Sequence, residues 1–144
     1  RWALDHPQEF ALIYGPAVPG YEPPVYEQTP AAMRTGTALL ALLVRAMGQG
    51  LLQPPADDSV PVALHAALTE IGDKDGTGLP VAATALAMQF WVIVLGMLSA
   101  EVFGHLPRPL LTCCREFFDL TVRQALLAMG VDRDAVAAGV SPLD

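Results

Sequence analysis

Charge is scarce in this chain. Asp, Glu, Lys and Arg make up 16% of its 144 residues, against 53% hydrophobic residues. A soluble chain with so little polar surface needs somewhere to hide apolar area: an internal cavity, a subunit interface, or both. Basic residues are scarcer still. Eight Lys and Arg stand against fifteen Asp and Glu, for a net charge of −7. No basic run or basic helix occurs, and an acidic surface repels phosphate, so this stretch alone is a poor nucleic-acid binder.

Cysteine is nearly absent too. Cys113 and Cys114 are adjacent. Neighbours on a helix point about 100° apart and do not form an ordinary disulfide. They read as two reduced thiols packed as small hydrophobes, which fits a cytoplasmic protein with no signal peptide. Alternating apolar and polar residues, the mark of strands, occur nowhere, so the fold class is all-α.

Catalytic patterns are missing as well. No Gly-x-Ser-x-Gly turn, phosphate loop or dinucleotide fingerprint is present, and we expect no enzyme activity and no cofactor. His6, His65 and His105 stand outside any ligand spacing. Asp5-His6 and Glu101-xxx-His105 read as caps and solvated faces rather than metal pairs. Asp73, Asp75, Thr77 and Gly78 imitate the first half of a calcium loop. Its twelfth position, which needs a bidentate glutamate, is Thr84, so no metal site is expected there.

What the chain does have is one long greasy run. From Val81 to Ala100 there is no charged residue. Alanine, leucine and methionine favour a helix, and Pro80 suits a first turn. About 20 uncharged residues meet the length test for a membrane span. Gln89 at mid-depth and the lack of a basic flank argue against one, and the other segments need a core to pack on. We therefore expect no membrane partner and a helix enclosed by protein. At about 100° per residue, Thr84, Met88, Trp91, Leu95, Leu98 and Val102 form a bulky side. Ala85, Gln89, Ile93, Gly96, Ala100 and Gly104 fall near the opposite, smoother side. Two kinds of surface and no wet one imply two different partners.

Around this run the sequence predicts about six helices. Trp2 to Tyr14 is helical with a break before Pro7. Residues 15–30 are rich in proline and glycine, but Val18, Tyr21, Val25 and Tyr26 predict a loop pinned to the body. A helix from Pro30 to about Met47 ends at Gly48 and Gly50. Another starts at a Ser59 cap and ends at Gly72. The long helix covers Pro80–Leu106, and a last one covers Pro109–Met129, closed by Gly130. On that last helix Leu111, Cys114, Phe118, Val122, Ala125 and Met129 share a side expected to face inward. The remaining residues read as one short turn and a tail. The chain starts at Arg1 in mid-pattern, which reads as the remainder of a longer polypeptide.

Phe10, Tyr14, Met33, Met47, Met88, Phe90 and Trp91 are soft, apolar and largely aromatic. Core packing explains any one of them. Together, with Tyr14, Gln89 and His65 as polar handles, they also describe a pocket for an apolar small molecule.

The opening tract WALDHPQEFALIYGPAVPGY resembles the start of the effector domain in TetR-type bacterial transcriptional regulators. The tract from Trp91 to Gly104, WVIVLGMLSAEVFG, resembles the Trp-His-Gly motif of one subclass. Leu95 stands where that motif has its histidine, which implies a more apolar pocket. The resemblance covers Trp2 to Gly130 and implies a single ligand-binding and dimerisation domain over residues 1–144. It further implies an N-terminal helix-turn-helix domain ahead of Arg1, a homodimer built on the last two long helices, and a hydrophobic small-molecule effector. On this view Gln89, Ile93, Gly96 and Ala100, with Phe118 and Val122 of the last helix, belong to the dimer interface. Operator DNA would be touched only by the N-terminal domain, and effector binding would change the spacing of the two heads, as in a repressor released by its ligand. The other reading of the same residues is a stand-alone all-α carrier of hydrophobic molecules.

Overall fold

The computed structural model describes residues 1–15, 20, 30–74 and 76–139, without the side chains of 30–33. The expected pinned loop at 15–30, Gly15 and Gly20 apart, lies outside the described residues. Among the described residues there are eight α-helices and no strand. They are α1 (Trp2–Asp5), α2 (Pro7–Tyr14), α3 (Pro30–Gly48), α4 (Val62–Lys74), α5 (Val81–Val102), α6 (Arg108–Leu111), α7 (Cys114–Ala128) and α8 (Arg133–Gly139). A 3-10 turn at Asp57–Ser59 precedes α4. The all-α class is thus borne out, with more and shorter helices than the sequence suggests.

The α1–α2 break falls at His6, whose φ of −132° and ψ of 58° leave the helical region as the following proline demands. The His6 ring stacks on Trp2 and its Nδ1 donates to the Trp2 carbonyl at 3.1 Å. His65 donates from Nε2 to the Val60 carbonyl at 2.9 Å, tying α4 to the turn before it.

Pro80 is the N-cap of α5 rather than its first helical residue. Proline has no side-chain acceptor for the free N–H groups of the first turn. Asp57, far away in sequence, supplies one: its Oδ1 accepts from the Ala82 N–H at 2.8 Å. Thr84, fully buried, donates to the Pro80 carbonyl at 3.2 Å, so the residue at the twelfth calcium-loop position is sealed inside the helix.

α5 ends at Val102, short of the expected Leu106. Gly104 turns the chain with φ +71°, and the Gly104 and His105 N–H groups donate back to Glu101 and Ala100. This is the Schellman stop, which needs a left-handed residue. Gly104 therefore belongs to the cap, not to the smooth side of the helix.

α5 is the hub. α1, α3, α4, α7 and the Asp57 turn all touch it. Ala83 and Ala87 are fully buried where neighbours approach closely. Leu40 and Leu43 of α3, Leu52, Ala87 of α5 and Met129 form the buried core cluster. The ends of α3 and α7 are joined by a single bridge between Leu52 and Val131, and the Asp132 N–H donates to Leu51 at 3.1 Å.

The expected helix over Pro109–Met129 is broken in two. Cys113 sits between α6 and α7 with φ −140° and ψ 36°. Thr112 Oγ donates to the Pro109 carbonyl at 3.0 Å, and both cysteine thiols donate to carbonyls of α6. Side chains that bond the preceding turn compete with the helix ladder, and the chain restarts one residue later. Leu111 ends up exposed rather than facing inward. Beyond Gly130 the expected turn and tail contain a regular helix, α8. Asp132 caps it, accepting from the Asp134 and Ala135 N–H groups at 2.9 and 3.0 Å.

Candidate functional site

The two sides expected of α5 are distinct in three dimensions. Its bulky side faces α1 and α2. Tyr14 and Trp91 meet edge-on with ring centroids 6.0 Å apart, and Phe10 lies against Tyr14 at 5.1 Å. Phe103, at the end of α5, closes on Phe10 at 5.9 Å. Phe10 is buried, while Tyr14 and Trp91 are half-buried. Leu95, also half-buried, lies one turn from Trp91 on the same side. Aromatic rings in tilted and edge-to-face contact attract beyond their area, and a row of them offers flat apolar surface to a ligand.

The other expected pocket residues go elsewhere. Met47, Met88 and Phe90 pack against the Leu40–Leu43–Ala87 cluster, where they fill the core between α3 and α5. Met33 lies outside the residues whose side chains are described. The sequence therefore groups seven residues of which the structure brings Phe10, Tyr14 and Trp91 together, with Leu95 beside them. Phe103 was missed. Its signal was present: it is the aromatic inside the Trp-to-Gly tract, placed by the helix stop at Gly104.

The middle of the smooth side of α5, from Gln89 to Gly96, is open. Val92 is 66% exposed and Ile93 38% exposed, and Gln89 and Gly96 are exposed beside them. Gln89, Val92 and Ile93 line a shallow, open and mostly apolar depression on this side, and Met88, which also packs against the core, closes its edge from the neighbouring face. A Cβ added at Gly96 would meet no atom within 4 Å. Ala100 is half-buried at its edge. By length and composition α5 could cross a membrane, and within one chain only 28% of its most apolar stretch is buried. The chain alone therefore does not enclose its most apolar helix.

On α7, Phe118 and Val122 are half-buried and share a side with buried Ala125 and Met129. Leu120, roughly opposite them on the helix, is 48% exposed. Val92 and Leu120 are among the exposed apolar residues that periodicity alone did not single out, with Leu12, Leu42 and Val62 elsewhere on the described surface.

Residues 1–125 match the family model described as tetracyclin repressor-like, C-terminal domain. The chain belongs to this family. Over 122 residues it is 28% identical to "HTH-type transcriptional regulator Mb1846" of Mycobacterium bovis. It is equally similar to "HTH-type transcriptional regulator Rv1816" of Mycobacterium tuberculosis. Each alignment covers 85% of this chain and 52% of the relative, so the chain spans about half the length of the curated relatives it matches. No solved structure matches. The TetR-like assignment makes this a domain of transcription regulators, not of enzymes.

Proposed function

We propose that this chain is the effector-sensing and dimerisation domain of a longer regulator, whose helix-turn-helix domain lies ahead of it. The family match over residues 1–125 carries the reading. The names of the half-matched relatives, which call them HTH-type regulators, support the missing DNA-binding part.

The bare side of α5 supplies the partner surface. Gln89, Val92, Ile93 and Gly96, with Ala100 at the edge and Leu120 of α7, meet their counterparts in a second copy. An apolar strip of this kind on a soluble protein is an interface in waiting, and closing it with a twin copy removes it from water. The tight-packing site at Gly96 lets the two α5 backbones come close. The chain works in the cytoplasm, with its operator DNA held by the N-terminal domain.

The effector is a small, mostly apolar molecule held against Tyr14, Trp91 and Leu95 on the side of α5 turned away from the partner. Its binding shifts α1 and α2 on α5 and so alters the spacing of the DNA-binding heads, releasing a repressor from its half-sites. The test is a thermal-shift screen of hydrophobic compounds on the full-length protein, followed by operator release. A ligand of the native state raises the melting temperature. A compound that does so and also weakens operator binding supports the reading. Stabilising compounds that leave operator binding untouched contradict it.

A further inference from the structure

The two cysteines are not used by this reading, and their placement is unusual. Cys113 lies in the break between α6 and α7, and Cys114 opens α7. Both are free and half-buried. Cys113 Sγ is 3.7 Å from the Pro109 carbonyl and Cys114 Sγ is 3.3 Å from the Leu110 carbonyl. Both sulfurs therefore reach back along the chain toward the same turn of α6. Because Cys113 is outside the helical region, the fixed divergence of two helical neighbours does not apply to this pair.

We propose that Cys113 and Cys114 form a two-sulfur site for trivalent arsenicals. Consecutive Cα atoms are about 3.8 Å apart, shorter than the ~4.4–6.8 Å span of ordinary disulfides. A direct S–S bond would close a strained ring, so the pair stays as a dithiol. An arsenic atom between the sulfurs lengthens the bridge by one atom and relaxes that demand. Soft thiol ligands select soft, thiophilic centres. Zinc and similar cations ask for about four protein ligands. Among the described residues no group of three or more His, Cys, Asp or Glu could hold a metal ion. An arsenic centre that keeps one organic substituent needs only two sulfurs, which is what this junction offers.

The chemistry balances without an oxidant. With phenylarsine oxide, two As–S bonds form as the As–O bond and both S–H bonds break. The oxygen and the two protons leave as water, and arsenic stays trivalent. Desolvation, with Glu101 next in effect, pushes the Cys114 thiol above its ordinary value. That holds it protonated and slows attack on oxidants and alkylating agents, which need thiolate. Attack on arsenic passes through the same thiolate and is slowed likewise; what favours the arsenical is the second As–S bond, which a monothiol competitor cannot match.

The test is intact-mass spectrometry of the folded full-length protein treated with one equivalent of phenylarsine oxide in excess glutathione. The expected product carries one phenylarsenic group in place of two hydrogens at this pair. It survives the monothiol and is stripped by a dithiol such as 2,3-dimercaptopropanol. Cys113→Ser and Cys114→Ser should each lose the glutathione-resistant adduct. Should either variant fail to fold, peptide mapping of the unmutated adduct decides instead: arsenic spanning Cys113 and Cys114 supports the site. An adduct removed by glutathione, or one mapping elsewhere, overturns it.

Discussion

The indole of Trp91 stands edge-on to the ring of Tyr14, with centroids 6.0 Å apart and planes at 63°. This contact joins the long helix α5 to the short helix α2 near the chain's start. Under the proposed function, this is where a ligand on α5 would be felt by the segment leading toward the proposed DNA-binding domain. Trp91→Ala should therefore weaken effector binding and cost about 3 kcal/mol of stability. Trp91→Phe should recover much of the stability. Denaturant unfolding and titration of a stabilising compound check both; affinity unchanged in Trp91→Ala would make Trp91 packing only.

Asp57 reaches across from the 3-10 turn to cap α5 at Ala82. Asp57→Ala should lower stability by about 1 kcal/mol, and Asp57→Asn should lose less, since an amide oxygen still accepts. Urea unfolding of the two variants reads this directly. Equal stability for all three proteins would show the cap to be idle.

Gly130 stops α7 with φ +87°, and a Cβ there would lie 3.0 Å from the Gln53 carbonyl oxygen. Gly130→Ala meets both the left-handed penalty and this contact, and should cost about 2 kcal/mol. The same change at Gly96, where there is open space inside a helix, should not destabilise the single chain. Comparing the two by thermal unfolding separates a backbone requirement from a packing one.

Lys74 lies 2.9 Å from Glu70 one turn earlier, and it holds the Glu70 carboxyl below its ordinary value. A carboxyl lowered on folding adds stability above its unfolded value, and that contribution fades as the pH falls through the folded value. Both side chains are well exposed, at 64% for Glu70 and 42% for Lys74. Water and salt screen such a pair. Glu70→Gln should leave stability at neutral pH within experimental error and slightly flatten its acid limb. A clear loss at neutral pH would mean the pair is structural.

The fold was legible where a residue's own chemistry decides the backbone. Pro7 ended α1, Pro30 opened α3, and Gly130 closed α7. The two sides of α5 followed from helical periodicity alone, because a helix cannot move Trp91 and Ile93 to the same face. Legibility failed where partners distant in sequence intervene. Ala82 lies on the smooth side yet is buried, near the Asp57 turn that accepts its N–H. The break at Cys113 has no glycine or proline to announce it; it comes with side chains bonding carbonyls of the turn before. α8 had its signal in Asp132, but it sits in a stretch that reads as a tail. Within the candidate site, Phe10, Tyr14 and Trp91 share an aromatic character that the sequence shows and that the packing brings together. Met47 and Met88 share only softness, which serves a core equally well.

The bare side of α5 is the centre of this account, and Gly96 is its cleanest probe, because a larger side chain there meets open space within its own chain. Sedimentation of the full-length protein and its Gly96→Leu variant, with helix content followed by circular dichroism, is the direct measurement. The parent should be dimeric and the variant monomeric, with unchanged helicity. A variant that still sediments as a dimer, or a parent that is monomeric with that face in water, would contradict it.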